Sequence, residues 1–253
     1  MANLDLIKRL NEKYDKASPI RRQTKLFAIS EAIDPNKIEK ALPDSLASMG
    51  IEYTKYFELG LPADVVLLFV DVCGFSTRYS DLSGEEVSTF FDKYYDIVIP
   101  ILYKYKGEVD KVIGDGIICV FGPPFDNSTF DQIVKKANTC AKEIISATKG
   151  TAFSSKIAFH CGRINYFKNK TGLYKEFTLV GRPLTELFRL ESVSLNERIN
   201  YYEGTPIRLY YESLINNRSA SAHDSKPEWL HNAHKLPTLN GVNYNMYYSI
   251  RKV

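Results

Sequence analysis

A chain of 253 residues, 44% hydrophobic and 25% charged, holds enough apolar material for one sizeable core, which excludes a disordered or collagen-like chain. Its formal net charge of +3 is too small to argue for a nucleic-acid or anionic-membrane partner, and no apolar run approaches the roughly 18–20 residues of a membrane span. Cys73, Cys119, Cys140 and Cys161 form no C-x-x-C pair and read as reduced, mostly buried thiols of a cytoplasmic protein; Met1–Leu10 carries neither a long apolar core nor a cleavage signal.

Residues 1–50 read as short helices. Leu4, Ile7 and Leu10 recur at helical spacing, as do Ile33 and Ile38, and Pro19, Pro35 and Pro43 punctuate them. With the lead-in to 61 they form a helical extension that packs on the domain or on a second subunit. Val65–Val70 is a continuous apolar run, typical of a strand buried on both faces. A helix follows from about Ser83 to Tyr103, with Ser83 and Glu86 as a capping box and Pro100 kinking it or marking its last turn. Glu108–Val112 and Ile117–Phe121 are two strands around the turn Gly114-Asp115-Gly116. A second long helix spans about Asp126 to Thr148. Lys156–Cys161 is a strand that Arg163–Phe167 continues as strand or turn, and Phe177–Val180 is another. Gly181 and Pro183 open a third helix reaching about Leu195. Ile207–Tyr211 is expected as a short strand, 216–234 as irregular chain, and Tyr244–Ile250 as the final strand. This order gives an α+β sandwich in which helices cover one face of a mainly antiparallel sheet.

Two aspartates stand out. Val65-Val-Leu-Leu-Phe-Val-Asp71 and Lys111-Val-Ile-Gly114-Asp115 each bring a carboxylate to a glycine-bearing turn. Taken singly, each is an ordinary turn or cap residue. Taken together, on neighbouring strands, they form a candidate site for Mg²⁺ or Mn²⁺, which take oxygen ligands and leave positions for triphosphate oxygens. Gly74-Phe75-Ser76 would present backbone N–H groups to phosphate. His160 reads as a satisfied structural histidine. His231-x-x-His234 lacks a third ligand and reads as a solvated loop.

These stretches resemble the class III nucleotidyl cyclase catalytic domain. Phe69-Val-Asp71-Val-Cys-Gly-Phe75-Ser looks like its first metal motif and Lys111-Val-Ile-Gly114-Asp115-Gly like its second. His160-Cys-Gly162-Arg163 resembles its H-x-G strand. Val180-Gly181 with Arg189-Leu-Glu191 resembles its transition-state helix. The similarity runs over roughly 62–250, in family order, and implies the ferredoxin-like sandwich of that family as a catalytic domain over 62–253. It also implies roles. Asp71, Asp115 and the Val72 carbonyl would hold two Mn²⁺ or Mg²⁺ ions per active site. Gly74, Phe75 and Ser76 would hold triphosphate. Lys111 and Thr178 would read the base, Thr185 would stand at the ribose position, and Arg189 would stabilise charge on the α-phosphate. In this family the metal residues of one subunit face the base-reading and arginine residues of the other. A homodimer with two interfacial sites is therefore implied, acting on a nucleoside triphosphate.

The chain departs from the family pattern at several places. Lys111 with Thr178 matches neither the lysine–aspartate pair common in adenine readers nor the glutamate–cysteine pair of guanine readers, although one adenylate cyclase subgroup has lysine and threonine. Thr185 replaces the ribose-orienting asparagine, Arg182-Pro183 stands where an aspartate is usual, and Asn240 in Leu239-Asn240-Gly241 replaces a late triphosphate-binding lysine for which Lys235 is a weak substitute. These departures, and the lead Tyr53-x-x-Tyr56-Phe57-Glu-Leu-Gly60, most resemble the stand-alone pyrimidine cyclases of bacterial Pycsar anti-phage systems. The resemblance implies conversion of UTP to 3′,5′-cyclic UMP and pyrophosphate, with a separate cyclic-nucleotide-binding effector downstream. The acceptors O2 and O4 of uracil suit the donors of Lys111 and Thr178; cytidylate and adenylate cyclase remain open, and so does a nucleotide-binding regulatory module without turnover.

Overall fold

The computed structural model describes residues 13–14, 56–57, 60–168, 177–220 and 228–253. The helices expected over 1–50 lie outside these, apart from Lys13 and Tyr14. Eight strands form one sheet: β1 (Pro62–Val72), β2 (Glu108–Ile113), β3 (Gly116–Phe121), β4 (Ser155–Lys168), β5 (Phe177–Val180), β6 (Ile199–Tyr202), β7 (Trp229–Lys235) and β8 (Met246–Lys252). Their order is β2-β3-β1-β4-β6-β8-β7, with β5 paired to β4. Every pairing is antiparallel except β4 with β6, in line with the expected α+β architecture.

Strand β1 is the axis. Its side chains alternate between two cores because successive Cβ atoms point to opposite faces. Val66, Leu68, Val70 and Val72 pack with Tyr94 and Val98 of α2 (Gly84–Lys104) and with Ile133, Ala137 and Ile144 of α3 (Phe130–Thr148). Val65, Leu67 and Phe69 pack on the other face with Leu187 and Leu190 of α4 (Arg182–Val193). Burial on both faces explains the uninterrupted apolar run.

Helix α2 begins where the sequence indicates. The Ser83 hydroxyl accepts from the Glu86 amide at 3.3 Å, and Glu86 Oε2 accepts from the Ser83 amide at 2.9 Å. Helix α3 starts later than Asp126, at Phe130. Thr129 and Gln132 make its capping box, while Asp126 accepts from the Ser128 amide and hydroxyl in the preceding turn. Strand β4 runs unbroken through Arg163–Phe167.

The C-terminal third corrects the sequence expectation. Ile207–Tyr211 is no strand but part of helix α5 (Pro206–Ala220). Ile207 and Tyr211 are buried while Leu209 between them is 65% exposed. In a half-buried strand all three would share a face, so the spacing of the buried pair, four apart, is helical. Strand β6, unanticipated, brings Ile199 and Asn200 alongside Ile157 and Ala158 of β4. The segment 229–235 is strand β7 and not loop, so His231 and His234 sit in the sheet: His231 Nδ1 lies 3.4 Å from the Tyr201 hydroxyl, and His234 Nε2 lies 2.7 Å from Ser249 Oγ. All four cysteines are free and buried.

Burial, then the nearby Lys142 and Arg208 charges, push the His231 pKa from 6.5 to about 4. The unfolded chain therefore takes up this proton at a higher pH than the folded one. The stability that neutral His231 contributes is complete above about 6.5 and is lost as pH falls toward 4. Melting temperature between pH 7 and 4 is expected to fall less steeply in His231→Gln than in the wild type; parallel curves would refute the assignment.

Candidate active site

The site is built where β1 ends and β3 begins. Asp71 is the penultimate residue of β1, is 8% exposed, and stands opposite Gly116 of β3 and Lys156 of β4. Gly116 has no room for a side chain: a Cβ there would come within 2.1 Å of Phe69 Cε2. Phe69 in turn meets Phe188 of α4 edge-on at 5.5 Å. Asp115 occupies the tight turn between β2 and β3, which Gly114 makes with a left-handed φ of 57°. The pairing of Gly116 with Asp71 sets Asp115 one residue from Asp71's cross-strand partner.

Electrostatics tie the two carboxylates together. Burial first, then the charge on Asp115, raises the Asp71 pKa from 3.8 to about 6, against the opposing pull of Lys156. Lys156 Nζ lies 3.3 Å from Asp71 Oδ2 and 2.7 Å from Glu191 Oε1. Burial disfavours the Lys156 charge, but Glu191 and Asp71 outweigh it and raise its pKa. Lys156 and Glu191 were missed in the sequence reading. The signal for Lys156 was present: a lone charge on the same strand face as Ala158 and His160, opening an apolar strand. Glu191 carries no signal of its own in the sequence, and only the fold brings it to Lys156.

Beyond Asp71 the chain turns at Gly74, with φ of 60°, into the four-residue helix α1 (Phe75–Arg78). Gly74 and Ser76 are exposed, whereas Phe75 is half-buried against Phe90 and Phe91, with ring centroids 5.2 and 4.7 Å away. Phe75 thus anchors the turn by its ring. Val72 is fully buried, paired with Ser155.

Helix α4 is held against β4 through its first turns. Gly162 makes this approach possible, since a Cβ there would come within 2.5 Å of Pro183 Cγ. Glu186, buried, meets His160 Nε2 at 2.9 Å and accepts from Arg182 Nε at 2.8 Å. These contacts account for Arg182-Pro183 at the start of the helix. His160 is only partly satisfied: its Nδ1 is buried without a hydrogen-bond partner. Thr185 and Arg189 are both exposed and, four residues apart, lie on one face of α4, opposite the buried Leu187 and Leu190.

The base-reading candidates stand apart from this group. Lys111 lies after a bulge in β2 and pairs with the buried Asp110 at 3.2 Å. Thr178 pairs with Phe167 on β5. In the strand order β3, β1 and β4 lie between β2 and β5. One chain thus gathers Asp71, Asp115, Lys156 and Glu191. Among the described residues no cluster of three or more His, Cys, Asp or Glu side chains forms a metal cage.

No family model matches the chain. Uncharacterised proteins of Mycobacterium bovis and Mycobacterium tuberculosis are 26% identical to it over 133 residues, an alignment that covers 50% of this chain and 22% of each relative. Among solved structures, the catalytic core of a rhodopsin-guanylyl cyclase with converted specificity, in complex with ATPαS, matches at a TM-score of 0.59 and 19% identity, covering 77% of this chain and 98% of that one. The guanylate cyclase domain of a Catenaria anguillulae protein in complex with GTP matches at 0.58 and 20%, covering 76% and 98%. An adenylyl cyclase of P. aeruginosa matches at 0.58 and 19%, covering 76% and 96%. The likeness is one of fold: the chain has the architecture of class III nucleotidyl cyclase catalytic domains.

Because Gly162 and Pro183 are in close contact, Gly162→Ala should push α4 off β4. Thermal or urea unfolding is expected to show a loss of about 1–3 kcal/mol, with Gly150→Ala, whose Cβ would meet nothing within 4 Å but whose φ is positive, as the comparison for backbone strain alone. Equal losses at the two positions would contradict the packing argument.

Proposed function

We propose that the chain is a pyrimidine nucleotide cyclase that converts UTP to 3′,5′-cyclic UMP and pyrophosphate, as second-messenger synthesis in anti-phage defence. The carrying observation is the Asp71–Asp115 pair, one carboxylate near the end of β1 and one in the turn that leads into the neighbouring β3, where burial and then the Asp115 charge raise the Asp71 pKa. The donor set fits hard divalent cations. Oxygen ligands suit Mg²⁺ and Mn²⁺, and a cation would relieve the repulsion that Asp115 exerts on Asp71. Asp71, Asp115 and the Val72 carbonyl would hold the ions, which when bound supply charge for the triphosphate and lower the barrier to deprotonating the attacking hydroxyl.

The remaining work falls to the chain's own groups. The backbone at Gly74–Ser76 approaches the triphosphate. Arg189, exposed on α4, supplies a guanidinium to the charge that develops on the α-phosphate as the ribose 3′-hydroxyl attacks and pyrophosphate leaves. Lys156 adds a positive charge on the Asp71 side. Thr185, on the same helix face, stands at the ribose. Lys111 and Thr178 donate to the base, which suits the O2 and O4 acceptors of uracil; the same pair supports adenylate cyclase as the second reading and leaves CTP as a possible substrate.

In this reading residues 62–253 are the catalytic domain and 1–61 an extension. Tyr14 touches the domain, its hydroxyl donating to Asp96 Oδ1 at 3.3 Å and its ring stacking on Tyr103. No described helix is long and apolar enough to cross a membrane. A cytoplasmic homodimer is the working form, in which Asp71 and Asp115 of one copy face Lys111, Thr178 and Arg189 of the other, and a cyclic-nucleotide-binding effector reads the product.

Incubation of the purified chain with each of the four nucleoside triphosphates and Mn²⁺, with products identified by mass, should give mainly cyclic UMP; dominant cyclic AMP would sink the pyrimidine reading. Asp71→Ala should abolish turnover, and Arg189→Ala should lower kcat by about 10²–10³-fold. Mixing the two inactive variants tests the shared site. Heterodimers should regain one intact site and measurable rate, whereas no recovery on mixing would place all catalytic groups in one chain.

A further inference from the structure

We propose that Glu191 is a positioning residue for the cation site: it takes up the Lys156 ammonium when a divalent cation binds at Asp71. This rests on the reading of Asp71 as a cation ligand. Lys156 and Asp71 are directly opposed in the β1–β4 ladder, so the backbone cannot separate them and only the side chain can move. Their ion pair is 3.3 Å long. A divalent cation on the same carboxylate meets a like charge at that range, a repulsion that the partly buried setting screens poorly. Lys156 cannot simply retreat into water, because its side chain is only 19% exposed and an uncompensated charge there is costly.

Glu191 solves this. Its Oε1 is 2.7 Å from Lys156 Nζ, closer than Asp71. It is carried by α4, which the Glu186 contacts with His160 and Arg182 hold against β4. The ammonium can therefore pivot onto Glu191 without losing its charge partner, leaving Asp71 Oδ2 for the incoming ion. Glu191 thereby sets cation affinity through Lys156, without being a ligand itself.

The test is Mn²⁺ binding to the full chain by isothermal titration calorimetry, without nucleotide, with thermal unfolding recorded for every variant. Glu191→Gln is expected to weaken Mn²⁺ binding by about tenfold, because Lys156 then has only Asp71. Lys156→Gln should tighten binding several-fold. The double variant should bind at least as tightly as the wild type, since removing the lysine removes the need for Glu191. Glu191→Asp, which keeps the charge, should stay within about threefold of the wild type. If the double variant is as weak as Glu191→Gln, or if Glu191→Gln changes nothing, the inference is overturned. Lys156→Gln is an independent check, and unchanged or weaker binding there also overturns it. Asp71→Ala separates the two readings: if it abolishes Mn²⁺ binding while Glu191→Gln has no effect, only the role of Glu191 fails; if Asp71→Ala leaves binding intact, the cation reading of Asp71 fails with it.

Discussion

A carboxylate buried beside a second carboxylate is the constraint around which this protein is arranged. Asp71 has its pKa moved from 3.8 to about 6 by burial and by Asp115. Keeping it charged at neutral pH costs about 3 kcal/mol. A cost of that size at one residue is a large fraction of a domain's net stability, and it is what remains after the attraction of Lys156 has acted. Lys156 is placed opposite Asp71 by strand register, and Glu191 reaches in from a helix on the same sheet face. Lys156 offsets part of the burden on Asp71, while Glu191 adds to it and holds the lysine in place.

The sheet makes this arrangement possible because its two faces differ. One is closed by α2 and α3, with α5 over its far side, through residues such as Tyr94, Ile144 and Tyr211. On the other, Leu187 and Leu190 of α4 pack over Val65, Leu67 and Phe69, and the carboxylates stand at the strand ends beside that helix. The glycines that matter are those that let these layers touch. Gly116 admits the Phe69 ring and Gly162 admits Pro183. Thr185 and Arg189 consequently stand clear on the exposed face of α4.

What the sequence disclosed and what it hid follow from the range of each interaction. The capping box of Ser83 and Glu86, the Gly114-Asp115 turn and the doubly buried strand Val65–Val70 are local patterns, legible without tertiary information. The segment 207–211 was misread because three apolar residues in alternation, Ile207, Leu209 and Tyr211, fit a strand as well as a helix; only the exposure of Leu209 decides between them. His231 and His234 read as loop residues because polar neighbours obscure an edge strand, and their half-buried places depend on Tyr201, Tyr211 and Ser249, distant in the chain. In the site, both aspartates could be picked from their turns. Glu191 could not, and Lys156 shows only as a lone charge opening an apolar strand, since their importance lies in side chains 85 and 35 residues apart from Asp71 and each other converging on one point.

Strand β1 also has a consequence for synthesis of the chain. It pairs with β3 and, at the opposite edge, with β4, whose partners lie 83 residues away at Val72–Ser155 and 103 away at Pro62–Asn165. A ribosome adding about 5–20 residues per second leaves β1 unpaired along that edge for about 4–20 s, with an uncharged apolar run of the kind that templates intermolecular pairing. During that interval Asp71 has neither Lys156 nor Glu191 beside it and is still in water, where a charged carboxylate is at ease. The charge that burdens the finished site is thus a solubilising one near the end of a long apolar strand while the chain is being made, and it becomes costly only as β4 and α4 arrive and bury it.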